Sequence, residues 1–110
     1  MDFEYTDEQQ QLADAFAKLL AGQYGFEQRK AIVASAAGFS DRLWAAFAEM
    51  GLTAIALPEG DGGFGGGAVD LMPVMMACGE ALVVEPLLDH LVAARLVARL
   101  GSAAQRAALL

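Results

Sequence analysis

The sequence predicts an all-α protein of about five helices, with a glycine-rich loop between helices three and four. Three observations carry this expectation. Apolar residues recur at helical spacing along most of the 110 residues, S/T-x-x-E/Q capping boxes stand at Thr6 and Ser102, and glycines punctuate the segment ends at Gly22, Gly25, Gly38, Gly51 and Gly101. A chain of this length builds one core, so residues 1–110 form a single domain.

Taken in order, Thr6-Asp7-Glu8-Gln9 opens the first helix, with acids in the turn where the helix dipole favours them. Leu12, Phe16, Leu19 and Leu20 then make one apolar stripe. The second helix is expected over 26–37, closed by Gly38. Ser40 caps the third, whose Leu43, Phe47 and Met50 form a stripe beside Trp44, and Gly51 occupies the position after its end. Residues 52–57 read as a short extended segment ended by Pro58, and residues 59–67 carry six glycines in nine positions, a loop.

Composition then changes. Residues 1–50 hold 12 charges and residues 68–100 only six, so the later helices are apolar on most sides and need cover on several. The fourth is expected over 69–84, with Pro73 tolerated as a first-turn residue. Pro86 breaks it and opens the fifth at the first helical position, running to Leu100. Ser102 to Gln105 caps a further helix that Leu110 cuts short, the look of a fragment.

The chemistry of the chain excludes several functions. A formal net charge of −7 repels nucleic acid and anionic membrane surfaces, and no apolar run reaches the ~18 residues of a membrane span. An acidic N-terminus and one cysteine fit a cytoplasmic protein. Gly63-Phe64-Gly65-Gly66-Gly67-Ala68 imitates a dinucleotide fingerprint, with acids at Glu85 and Asp89, but no strand runs directly into it and none follows. The lone His90 has no second ligand at metal spacing and no nucleophile to serve. Cys78 reads as a small packing residue, Met72, Met75 and Met76 as core filling, and Glu80 and Glu85 as exposed helix surface. No catalytic, cofactor-binding or metal-binding constellation emerges.

The order of these pieces resembles the N-terminal helical domain of the flavin-dependent acyl-CoA dehydrogenases. The resemblance runs from Met1-Asp2-Phe3 and Thr6-Asp7-Glu8-Gln9 through Gly38-Phe39-Ser40, Leu43-Trp44, Glu49-Met50-Gly51-Leu52, Leu57-Pro58-Glu59 and Gly62-Gly63-Phe64-Gly65 to Gly101-Ser102-Ala103-Ala104-Gln105-Arg106. Phe26-Glu27-Gln28-Arg29-Lys30, Gly62 to Gly67 and Glu85-Pro86 look most like the small subunit of the pimeloyl-CoA dehydrogenase type.

The resemblance implies an up-and-down helical bundle that belongs with a middle β domain and a C-terminal helical domain, both absent here. It implies an oxidoreductase that desaturates an acyl-CoA thioester and passes hydride to FAD, with the base and most flavin contacts outside this chain. It further implies packing in a homo- or hetero-tetramer with a second dehydrogenase subunit, and an acyl pocket wall containing Val84, Leu88 and Leu91. The competing reading is a non-enzymatic helical module that docks a protein partner on its apolar helices.

Overall fold

A computed structural model describes residues 4–110, so Met1-Asp2-Phe3 lies outside the described residues. Among these the fold is all-α, with six helices and no strand: α1 (Asp7–Gln23), α2 (Phe26–Ala34), α3 (Asp41–Glu49), α4 (Ala68–Ala81), α5 (Leu87–Leu100) and α6 (Ala103–Leu109). Both expected capping boxes are formed. Thr6 Oγ1 accepts from the Gln9 N–H at 3.2 Å while Gln9 Oε1 accepts from the Thr6 N–H at 2.9 Å, and Ser102 and Gln105 repeat the exchange at 3.1 and 2.9 Å. Ser40 Oγ caps α3 through the Leu43 N–H at 3.2 Å.

The core lies where α1, α3, α4 and the start of α5 meet. Phe16, Leu20 and Tyr24 from α1 and its end pack with Leu43, Phe47, Leu52, Ile55, Val74, Leu87 and Leu91. At its centre the Phe16 and Phe47 rings meet edge to face, centroids 5.2 Å apart and planes at 89°, an arrangement that aligns ring edge with ring face charge. The α1 and α4 starts are tied by Gln9 Nε2, which donates to Asp70 Oδ1 at 2.9 Å.

Four local expectations are corrected. The second helix stops at Ala34, because the Ser35 N–H and hydroxyl both turn to the Ile32 carbonyl and compete with the helical ladder. Residues 52–57 are not extended: Leu52–Ala54 is a 3₁₀ turn. The carbonyls of Ala54, Ile55 and Leu57 accept from the N–H groups of Phe64, Gly66 and Gly65, folding the glycine loop back on this turn. Gly63 is required there, since a Cβ would collide with the Leu57 carbonyl. Pro73 lies in the second turn of α4 rather than the first and is buried, so the bond to the Val69 carbonyl is forfeited for core packing.

The fourth correction concerns the corner between α4 and α5. The helix ends at Ala81, three residues early, with Leu82 in the left-handed region at φ 56°. The Val83 N–H reaches the Cys78 carbonyl at 3.0 Å and the Leu82 N–H the Gly79 carbonyl at 3.3 Å, a Schellman closure with leucine in the usual glycine place. Arg29 Nε donates to the Leu82 carbonyl at 2.7 Å and holds that turn from α2. Pro86 precedes α5 as its cap instead of opening it.

The molecule is a slab of 42 × 40 × 18 Å with a radius of gyration of 14.8 Å. A compact domain of this length has about 13 Å. Its accessible surface of 7163 Å² likewise exceeds the roughly 5,800 Å² expected for 11.5 kDa. Much exposed apolar surface lies on α4, α5 and the corner between them, where Met72, Met76, Leu82, Leu88, Val92, Leu96 and Leu100 are all exposed. No helix among the described residues is long and apolar enough to cross a membrane.

Candidate functional site

The corner that Leu82 creates turns the chain so that α4 and α5 diverge, and between them opens a groove of about 350 Å³. Its walls are Met75, Cys78, Gly79, Leu82, Val83, Glu85, Leu87 and Leu88. Met75 and Cys78 come from the inner side of α4 and pack partly on the core. Leu88 stands on the opposite wall at the start of α5, 60% exposed, with Leu87 buried beside it. The surface is almost wholly hydrocarbon and thiol, apart from one carboxylate.

That carboxylate is Glu85, only 4% exposed. Its Oε2 accepts from the Ser40 N–H at 2.8 Å, placing negative charge at the N-terminus of α3 where the helix dipole favours it. Its Oε1 is buried with no hydrogen-bond partner. Two neighbours respond to it. Tyr24, whose hydroxyl accepts from the Val84 N–H at 2.8 Å, has its phenol pushed up to about 12, chiefly by burial and further by its hydrogen bond to the Glu85 side chain and that group's charge, while the Val84 bond pulls the other way. The Cys78 thiol is pushed up to about 11, again by burial first and then by the Glu85 charge, so it stays protonated at neutral pH and is a poor nucleophile.

The three residues expected on an acyl pocket wall are not brought together on one open surface. Leu88 lines the groove. Leu91 is buried in the core at 6% exposure, one turn along, and Val84 is partly buried against the same core. Sequence reasoning missed Glu85, which was expected on a helix surface, and missed the exposure of Met72 and Met76; Met75 alone of the three packs inward. A signal for Glu85 was present: a lone acid between Val83-Val84 and Leu87-Leu88, next to a proline that forbids continuing the helix.

The other candidates resolve into structure. His90 Nε2 lies 2.9 Å from the Thr53 carbonyl, an acceptor, so this nitrogen carries a proton; the ring edge also meets Trp44, centroids 5.4 Å apart. It pins α5 to the 3₁₀ turn. In the glycine loop, the N–H groups of Gly62, Gly63, Phe64, Gly65 and Gly66 all donate to backbone carbonyls. The Gly67 N–H donates to Asp70 Oδ2 at 2.8 Å. Asp70 is held below the usual carboxylate range by its bonds to Gln9 and to Gly67. An anion arriving at this helix start would find its donors spent and a carboxylate in place, so the loop does not fit a flavin pyrophosphate. No group of three or more His, Cys, Asp or Glu among the described residues could hold a metal.

Comparison with known proteins supplies what the geometry alone does not. Residues 6–110 match the model of the acyl-CoA dehydrogenase N-terminal domain. Over 83 residues, 74% of this chain, the sequence is 37% identical to the acyl-CoA dehydrogenase IpdE2 of Mycobacterium tuberculosis. That match spans 26% of the relative, so the chain corresponds to about a quarter of it. No solved structure matches significantly.

Proposed function

Because the chain belongs to the acyl-CoA dehydrogenase N-terminal domain family, we propose that it is the helical N-terminal part of a flavin-dependent acyl-CoA dehydrogenase and contributes a section of the acyl pocket wall. The proposed reaction removes the Cα proton and the Cβ hydride of an acyl-CoA thioester, leaving an α,β double bond. FAD would supply the hydride acceptor. Nothing in the glycine loop fits it, so on this reading flavin and base are held by a middle β domain, a C-terminal helical domain or a second dehydrogenase subunit, in a cytoplasmic tetramer. This chain's own part is to bind and orient the apolar tail and to keep water from it.

The observation that carries the reading is the groove between α4 and α5, an apolar hollow with Leu88 on its wall in a chain of this family. Leu91 would act from below, filling the core that seats Leu88, and Val84 through the Tyr24 bond that fixes the corner. The flat shape and the exposed Val92, Leu96 and Leu100 support packing on further domains or subunits.

Leu88→Trp in the flavoenzyme containing this chain tests the reading. Overpacking the wall should lower kcat/KM for long acyl chains by 10-fold or more, on the order of 1–3 kcal/mol, while short chains are spared. A uniform loss for all chain lengths would indicate misfolding, and no loss would remove Leu88 from the pocket. A protein that copurifies with a partner yet shows no flavin-dependent activity would favour the interaction module instead.

A further inference from the structure

Glu85 is the one charged side chain buried among the described residues, and it has no part in the proposed reaction. It stands where several helices meet. Its Oε2 accepts from the Ser40 N–H at the start of α3 at 2.8 Å, and its side chain is hydrogen-bonded by the hydroxyl of Tyr24 from the end of α1. The same hydroxyl accepts from the Val84 N–H at 2.8 Å, so phenol, carboxylate and backbone form one connected set across the corner. Arg29 of α2 adds its bond to the Leu82 carbonyl. The corner between α4 and α5 is thus tied to all three preceding helices by directional bonds.

A carboxylate is a costly way to fill that space. Burying a charge forfeits its hydration, and an apolar side chain of similar size often holds a fold as well or better. What an apolar residue lacks is direction. A buried polar network fixes one arrangement of the elements it joins, where apolar contacts tolerate several. The arrangement fixed here is that of the groove, because Val83, Glu85, Leu87 and Leu88 follow one another along it. Leu88 is mostly exposed, so core packing does not set its place; the corner does.

We infer that Glu85, through its bonds to Ser40 and Tyr24, is a positioning residue that sets the separation of the α4 and α5 walls and with it the acyl chain lengths the groove accepts. The inference rests on the acyl-pocket reading above and adds the side-chain pair, Tyr24 and Glu85, that fixes the pocket's shape. The pair acts through Leu88, holding it across the groove from Met75 and Cys78. A wall held in one place discriminates by length, whereas a loosened wall adapts to several lengths.

The test is made in the flavoenzyme containing this chain, by following kcat/KM along a series of saturated acyl-CoA substrates from short to long. Tyr24→Phe keeps the ring and deletes only the hydroxyl, while Glu85→Leu keeps most of the volume and deletes the acceptor. Each should flatten the chain-length profile, the ratio of best to worst substrate falling roughly 2- to 10-fold, the range of one net hydrogen bond. Because the two share one set of bonds, the double variant should flatten it no further than the stronger single one. Thr6→Ala is the control for lost stability alone. It removes the cap of α1, at the opposite end of that helix from Tyr24, and should lower the melting temperature with the profile intact. An unchanged profile in both single variants, an equal flattening by Thr6→Ala, or effects that add in the double variant would overturn the positioning role. Leu88→Trp judges the pocket separately: if it still rejects long chains, the acyl pocket stands without Glu85, and if it rejects none, both readings fall. Should Glu85→Leu fail to fold, Tyr24→Phe against Thr6→Ala still decides.

Discussion

The junction of α1 with α3 and the outer side of α5 are built from the same kind of side chain and do opposite things with it. In the junction, Phe16, Leu43 and Phe47 are fully buried and each helix contributes a single stripe to one closed core. On α5, Leu87, Leu91 and Ala94 serve that core while Leu88, Val92, Leu96 and Leu100 stand in solvent on the other side. An amphipathic helix announces one packed face. An apolar helix with two unlike faces announces that the second has work other than holding this fold. The groove lies where the two regimes meet, with Leu87 on the closed side and Leu88 on the open one.

The largest effect should come from cutting into both regions in parallel. Phe47→Ala removes a ring that is wholly buried against Phe16 and Trp44, and should cost about 3–5 kcal/mol, enough to unfold a small domain at 25 °C. Leu96→Ala on the open face should change stability by less than about 0.5 kcal/mol. Chemical denaturation of the two variants measures the contrast. Comparable losses would mean that the outer face of α5 is part of the core after all.

This division was half legible in the sequence. Thr6, Ser40 and Ser102 marked helix starts through local hydrogen bonds that need only neighbouring residues, and the stripes Leu12-Phe16-Leu20 and Leu43-Phe47 marked their inner faces. The corner at residues 82–86 was not legible. Its shape depends on a leucine in a conformation leucine rarely adopts, stabilised by Arg29 from 53 positions away, and on a glutamate whose hydrogen-bond partner, Ser40, lies 45 positions away. Propensity and periodicity report on near neighbours, so a site made by distant pairs stayed hidden. The Val84–Leu88–Leu91 set came from resemblance, and periodicity alone could not say that Leu88 would face outward and Leu91 inward.

Alkaline pH should act on the closed side through Tyr24 in the core and Cys78 on the groove wall. Tyr24 is raised from 10 to about 12 and Cys78 from its ordinary 9 to about 11. Both groups lose their protons more easily in the unfolded chain, so stability is fully present below pH 9 and falls as pH rises toward 12. Tyr24→Phe and Cys78→Ala should each flatten that decline in thermal melts taken between pH 8 and 11. If the slope is unchanged in both variants, the alkaline loss arises elsewhere.

The smallest expected effect tests how the corner is held. Leucine in the left-handed region costs roughly 1–2 kcal/mol relative to a right-handed conformation, a penalty glycine escapes. Leu82→Gly relieves that strain but gives the unfolded chain more freedom, a loss of roughly 0.4–1 kcal/mol. Because Leu82 is 62% exposed, little burial is lost with it. The two backbone effects nearly cancel, and the variant should be between neutral and about 1 kcal/mol more stable by denaturant titration. A variant that loses stability would show instead that the leucine side chain, and not the Arg29 bond to its carbonyl, holds the turn closed.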